Sequence, residues 1–139
     1  MSEATENPQE LPADVQELVT KLFTWAREGN LDLVEYVKQG VNVDLKNQEG
    51  NSFLMLAAYN GHPELVRALI DLGADVDAPN RRGQAPLAGV LFKKEDEVLD
   101  VLLEAGADPL AGHPNAIDSA RMFGREDVLE RLTKAAGQE

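Results

Sequence analysis

The sequence predicts an all-α protein, a solenoid of four helix-turn-helix repeats with short connecting fingers and polar capping helices. Three observations predict it. First, the stretch from Gly50 to Ala78 holds two short helical patterns back to back. Leu54, Leu56, Ala57 and Ala58 make one apolar run. Leu65, Val66, Leu69 and Ile70 fall at i, i+1, i+4 and i+5, which is one face of a helix. Gly61 separates the two, and Gly73 stands where a helix C-terminus favours a left-handed residue. Second, a polar Asn80-Arg81-Arg82-Gly83 follows and the pattern restarts, with Gly50 and Gly83 33 residues apart. Third, neither helix is long enough to persist alone in water, because nucleation is costly and a short helix gains few bonds. Each must bury its face against further copies of the same unit.

In chain order, residues 1–11 are acidic and poor in apolar side chains, and a disordered tail is expected there. No Lys or Arg occurs between Met1 and Thr20, where Glu3, Glu6, Glu10, Asp14 and Glu17 are all acidic. A solubilising overhang is the simpler reading and a partner-binding tail the other. The repeat domain is expected over 12–139, with repeats at about 12–46, 47–79, 80–112 and 113–137. Its first helix runs from Pro12 to Glu28, with Val15, Leu18, Val19, Leu22, Phe23 and Ala26 at helical spacing. A longer first helix with no finger before it suits a terminal repeat, which has one face without a partner. Trp25 falls in the slot of Ala57 and is expected to cover the open end of the core, against the N-terminal segment. Asn30 is a good N-cap for a helix from Leu31 to Gln39. In the second repeat Ser52 should cap a helix starting at Phe53, and Pro63 sits at a first helical position, where its missing N–H costs nothing. The third repeat departs most: Ala85 replaces the capping hydroxyl, Val90 and Leu91 replace two alanines, and Lys94 replaces the inter-helix glycine. A left-handed non-glycine costs roughly 1–2 kcal/mol, so an altered turn is expected over Lys93–Asp96. In the fourth repeat the finger is three residues shorter. Asn115 caps a helix over Ala116–Phe123, and Gly124 makes the turn. Val128, Leu129 and Leu132 then face inward, while Glu126, Asp127, Glu130, Arg131 and Lys134 give the last helix a polar outer face.

A unit of 33 residues with a turn and two helices resembles the ankyrin repeat. GHPELVRALIDLGADVDA is similar to that family's second helix and following finger almost letter for letter. Ser52 stands where the family usually has Thr, and Phe53 and Met55 replace its usual Pro and His. Through LMLAAYNGH the chain resembles small stand-alone bacterial members. Through its length and GADVDAPN it also resembles the small eukaryotic myotrophin type, which would imply an inhibitory partner of actin-capping protein.

Composition bounds the chemistry. The 139 residues carry a formal net charge of −12, which disfavours nonspecific attachment to nucleic acid or an anionic membrane. There is no cysteine, no apolar run of about 18 residues and no signal-peptide pattern, so a cytoplasmic monomer is expected. His62 and His113 are the only histidines. His62 follows the inter-helix glycine, as is ordinary in the family, and reads as structural. His113 has no evident ligand neighbour, and a zinc site needs three or four converging ligands. Asp75-Val76-Asp77 fails as a calcium loop, because Pro79 follows two residues on and Pro86 stands where the closing glutamate belongs. No phosphate-cradling or nucleophile-elbow motif occurs. Glu95-Asp96-Glu97 reads as the acidic first turn of a helix. No enzyme, cofactor or metal is therefore expected.

The family resemblance implies protein–protein binding through the concave face, made of finger tips and exposed inner-helix positions. Carried onto this chain, those inner positions are Arg27 and Glu28, Tyr59 and Asn60, Phe92 and Lys93, and Met122 and Phe123. The finger tips supply Gln48, Glu49 and Asn51, then Arg81, Arg82 and Gln84. Tyr59, Phe92, Met122 and Phe123 would form an aromatic and Met stripe, and such residues are enriched in interface cores. Residues 78–94 hold Arg81, Arg82, Lys93 and Lys94 with no acid between them, a positive island in an acidic chain. The candidate partner-binding residues are Tyr59, Arg81, Arg82, Gln84, Phe92, Lys93, Met122 and Phe123, and an acidic protein surface is the expected target. The plainer alternatives are that Phe92 and Phe123 fold inward as filler and that Arg81 and Arg82 are a solvated tip. Two other functions stay open: a small-ligand or enzymatic accessory protein, and a structural or oligomerising domain.

Overall fold

The computed structural model describes residues 12–137. The expected acidic tail over 1–11 lies outside the described residues. Eight helices follow in order: α1 (Ala13–Glu28), α2 (Asp32–Lys38), α3 (Phe53–Tyr59), α4 (Pro63–Asp71), α5 (Pro86–Lys93), α6 (Asp96–Glu104), α7 (Ala116–Met122) and α8 (Glu126–Ala135). They form four consecutive pairs. The odd-numbered helices stack side by side as an inner layer, and α2, α4 and α6 stack behind them. The β-structure among the described residues is a single antiparallel bridge between Lys46 and Ser52 at the base of a finger.

The two middle inner helices, α3 and α5, are flanked on both sides and backed by an outer helix, so they bury almost their whole circumference. Phe53 through Ala58 are all buried in α3, and Pro86 through Leu91 in α5. Outer helices bury a stripe: Leu65, Val66 and Leu69 in α4, and Val98, Leu99, Val101 and Leu102 in α6. The buried residues join into one core cluster running from Leu22 to Leu132. The ends contribute less, since α1 buries Leu22, Phe23 and Ala26, and α8 buries Val128 and Leu132. That thinning is what a stack with a single neighbour at each end requires.

The local signals act as their chemistry dictates. The Ser52 hydroxyl accepts from Met55 N–H at 3.1 Å, and Asn115 Oδ1 accepts from Asp118 N–H at 2.8 Å. Pro63 and Pro86 open α4 and α5. Asn30 Oδ1 accepts from Asp32 N–H at 2.9 Å, but α2 begins at Asp32, one residue later than its pattern suggested.

The expected alteration at Lys93–Asp96 does not occur. Lys94 takes the left-handed conformation itself (φ 60°), as Gly61 does in the preceding repeat (φ 77°). The turn closes with the same bond in both: Glu95 N–H donates to Val90 O, and His62 N–H to Ala57 O, each at 3.0 Å. An exposed side chain and a bonded turn hold the lysine in place against a steric cost of about 1–2 kcal/mol. Trp25 packs, half-buried, against the core cluster. Its ring meets Tyr36 of α2 edge-on at 5.6 Å, with Lys21 Nζ 5.0 Å from its centroid. The segment expected to cover it is outside the described residues.

The fingers are held by a repeated asparagine. Asn47 Oδ1 accepts from Glu49 and Asn51 N–H, and Asn80 Oδ1 accepts from Arg82 and Gln84 N–H. Gly50, at the tip of its finger, has φ 79°, and a Cβ there would sit 2.7 Å from Arg81 N, so a side chain is excluded on two counts. Rungs link one finger base to the next. Asp44 Oδ1 accepts from Asp75 N–H and Asp77 Oδ1 from Asp108 N–H, both at 2.8 Å.

Candidate functional site

The candidate apolar residues sit at the C-terminal ends of the inner helices, Tyr59 closing α3, Phe92 near the end of α5, Met122 closing α7 and Phe123 as its C-cap. Phe92, Met122 and Phe123 are 61%, 69% and 43% exposed, so they do not fold inward as filler. The repeat register puts these residues in diagonal contact. Lys93 Nζ lies 4.8 Å from the ring centroid of Tyr59, one repeat earlier. In the same way Phe123 meets Phe92 of the preceding repeat, with ring centroids 5.8 Å apart. Tyr59 is half-buried and lies over Gly89 of α5, where a Cβ would already touch its ring at 3.4 Å.

Tyr59, Arg82 and Gln84 come together with Arg27 in one groove between the fingers and the inner helices, floored by Met55 and Leu56 and ≈ 320 Å³ in volume. Asn51, Asn60, Asn80 and Glu49 complete its lining. Gln84 is half-buried and partly committed, because its Oε1 accepts from Asn80 Nδ2 at 3.0 Å. The same Asn80 amide donates to Asn51 Oδ1 at 3.0 Å, tying two fingers together. Arg81 is exposed and lies over Gly50 of the neighbouring finger, its N–H donating to Glu49 O. Arg81, Phe92, Lys93, Met122 and Phe123 do not line this groove. Arg27 was not among the candidate residues. The available signal was its position, which in α1 is the one Tyr59 holds in α3.

Charges are unevenly distributed. The outer helices are laced by ion pairs: Arg67 with Glu104 at 3.6 Å, Arg131 with Asp100 at 2.9 Å, and Arg125 with Asp96 at 3.1 Å. Arg125 is largely buried, and its hydrogen bonds to Asp96 push its pKa above the usual arginine value, so it stays cationic. His62 is structural: a ring N–H donates to Arg27 O at 2.8 Å, and the ring covers Gly29. Among the described residues no group of three or more His, Cys, Asp or Glu side chains is placed to hold a metal ion. No described helix is long and apolar enough to cross a membrane.

The comparisons with known proteins agree with this architecture. A family model for ankyrin repeats in three copies matches residues 22–113. An ankyrin repeat protein of Pseudomonas aeruginosa is 45% identical over 65 residues, covering 45% of this chain and 38% of that protein. Ankyrin repeat domain-containing protein 29 of Danio rerio is 43% identical over 58 residues, 40% of this chain and 20% of its own length. The inactive serine/threonine-protein kinase TEX14 of Mus musculus is 42% identical over 57 residues, 40% of this chain and 4% of its own. The matched part therefore spans less than two fifths of each relative. The match stops short of α7 and α8, yet that pair repeats the capped helix, the glycine turn and its closing bond, Arg125 N–H to Ala120 O at 2.8 Å. With more than half its length matched and helix pairs stacked at the expected period, the chain belongs to the ankyrin-repeat family.

Proposed function

We propose that this chain is a non-catalytic module that binds a partner protein through the face made of its fingers and inner helices. Tyr59, Arg81, Arg82, Gln84, Phe92, Lys93, Met122 and Phe123 form the contact surface, and the partner presents acidic groups to it. The observation that carries the reading is the exposure of Phe92, Met122 and Phe123 as neighbours on a rigid stack. Large apolar side chains grouped on a soluble surface mark interaction sites, whereas scattered ones need no explanation. Stacked helices hold these side chains in place beforehand, so less ordering entropy is lost on binding. The acidic chain makes the basic residues a local attraction for an acidic surface, acting mainly on association rate and specificity.

The test is affinity capture with the wild-type chain and with a Phe92→Asp, Phe123→Asp variant, its fold checked by circular dichroism. Both residues are exposed, so the variant should stay folded and lose its specific partners. A folded variant that retains every partner overturns the choice of face. Charge reversal at Arg81 and Arg82 should weaken capture without loss of fold.

A further inference from the structure

We infer that the binding face is polarised and that its occupant is a linear acidic–apolar segment of a partner protein. The segment's carboxylates lie over the groove walled by Arg27 and Arg82, and its apolar side chains over Phe92, Met122 and Phe123. This rests on the function proposed above and adds the chemistry and direction of what is bound.

The argument begins with which cations are paired. Lys38, Arg67, Arg121, Arg125 and Arg131 each have a carboxylate within 4.0 Å. The other eight have none among the described residues, and four of these, Arg27, Arg81, Arg82 and Lys93, belong to the finger tips and inner-helix ends. Arg27 Nη2 bonds to the Thr24 hydroxyl at 3.3 Å, and Lys93 sits over Tyr59. Cations grouped on one face without carboxylate partners form a local positive field, here within a chain of 25 acids and 13 bases. Arg27 and Arg82 both line the groove floored by Met55, Leu56 and Tyr59. The one acid lining it, Glu49, is approached by Asn51 Nδ2 at 3.5 Å. At ≈ 320 Å³ the groove is near the small end of ligand pockets, about 300–1,000 Å³, and suits a pair of side chains better than a whole metabolite. Arginine binds carboxylates in a forked, two-point geometry, which favours Asp or Glu there.

The other end differs in kind. Phe92 and Phe123 meet each other, Met122 is the most exposed large apolar side chain among the described residues, and the neighbouring cation, Arg121, is already paired with Asp118. Packed helices lie about 8–10 Å apart, so four inner helices span roughly 24–30 Å. About eight extended residues at ~3.3 Å each cover that distance. One short segment therefore reaches both ends, and their different chemistry sets its direction.

The experiment is display selection of random peptides of about twelve residues against the full chain. Three variants are run in parallel: Arg27→Glu with Arg82→Glu, Phe92→Asp with Phe123→Asp, and Arg67→Glu with Arg131→Glu as a control of equal net charge. Selected peptides should carry acids toward one end and apolar residues toward the other. Acid enrichment should vanish on the first variant, apolar enrichment on the second, and neither on the control. A selected peptide, followed by fluorescence anisotropy, should bind the first variant about tenfold more weakly and lose most of its salt dependence. Peptides without acids, or acid enrichment unchanged by the first variant, overturn the inference while leaving the face intact, provided the second variant loses them. Peptides indifferent to both variants overturn the face as well. Enrichment no better than on an unrelated folded protein also overturns the inference.

Discussion

Lys94 holds a position where the neighbouring repeat uses glycine, and it does so without changing the turn. Sterics pointed to a rearranged turn. The bond from Glu95 N–H and the packing of α5 against α6 outweigh a cost of about 1–2 kcal/mol, a comparison that local sequence does not display. That cost remains in the folded state, so Lys94→Gly should stabilise the protein by about 1 kcal/mol in urea unfolding. Asp77 is a second residue held at a cost. Burial raises its pKa most. The hydrogen bond from Asp108 N–H lowers it, and the charges of Asp108 and Asp75 raise it further, leaving it above the usual carboxylate value. The sign follows from the folded form binding a proton more tightly than the unfolded. The contribution of this group is most favourable below the ordinary carboxylate range and is lost as pH rises through the raised folded value. Ionised Asp77 therefore opposes folding at neutral pH. Asp77→Asn keeps an oxygen for Asp108 N–H, and should raise the melting temperature at pH 7. The gain should shrink toward zero as pH falls into the range where Asp77 is protonated in both the folded and the unfolded chain.

At the scale of the helix and the finger, most boundaries were legible because they are written in special residues. Ser52, Asn115, Pro63, Pro86 and Gly61 each act at the position their chemistry assigns. The caps make a paired prediction. Ser52→Ala removes the acceptor for Met55 N–H and should cost about 1 kcal/mol. Ala85 occupies the equivalent extended N-cap without a side-chain acceptor, so Ala85→Ser should recover a similar amount. Chemical denaturation of both variants tests the pair, and loss or gain in the same direction for both would contradict it. The candidate site was less legible. Helical spacing placed Phe92 and Phe123 near the end of an inner helix but left open whether they turn inward, since that depends on the helix one repeat away. Gln84 read as a free finger-tip side chain, yet its carbonyl oxygen is engaged by Asn80. Arg27 was legible as an inner-helix position equivalent to Tyr59, but its place in the groove wall depends on the fingers of the following repeats.

Across the whole molecule, electrostatics and packing oppose each other. The core is continuous from Leu22 to Leu132, while the surface carries a net charge of −12. The ion pairs of Lys38, Arg67, Arg121 and Arg131 are half exposed or more and worth little in water, the pairs of Arg125 being the more sheltered ones. Repulsion among the acids should therefore outweigh them. Raising ionic strength from ~0.01 M to ~0.3 M, which shortens the screening length several-fold, should raise the melting temperature rather than lower it. The stacked architecture was legible from period alone, because a unit that cannot close its own core must be completed by its neighbours. The charge segregation was not, since it depends on which carboxylate lies across from each cation on the next helix. The rungs between finger bases carry one more implication. Asp44 reaches Asp75 and Asp77 reaches Asp108 over the same sequence separation, so each joint is an interchangeable coupling. A duplicate of residues 47–79 spliced in after Pro79 would find a matching socket on either side, and the chain could grow longer while its two ends kept their own fittings.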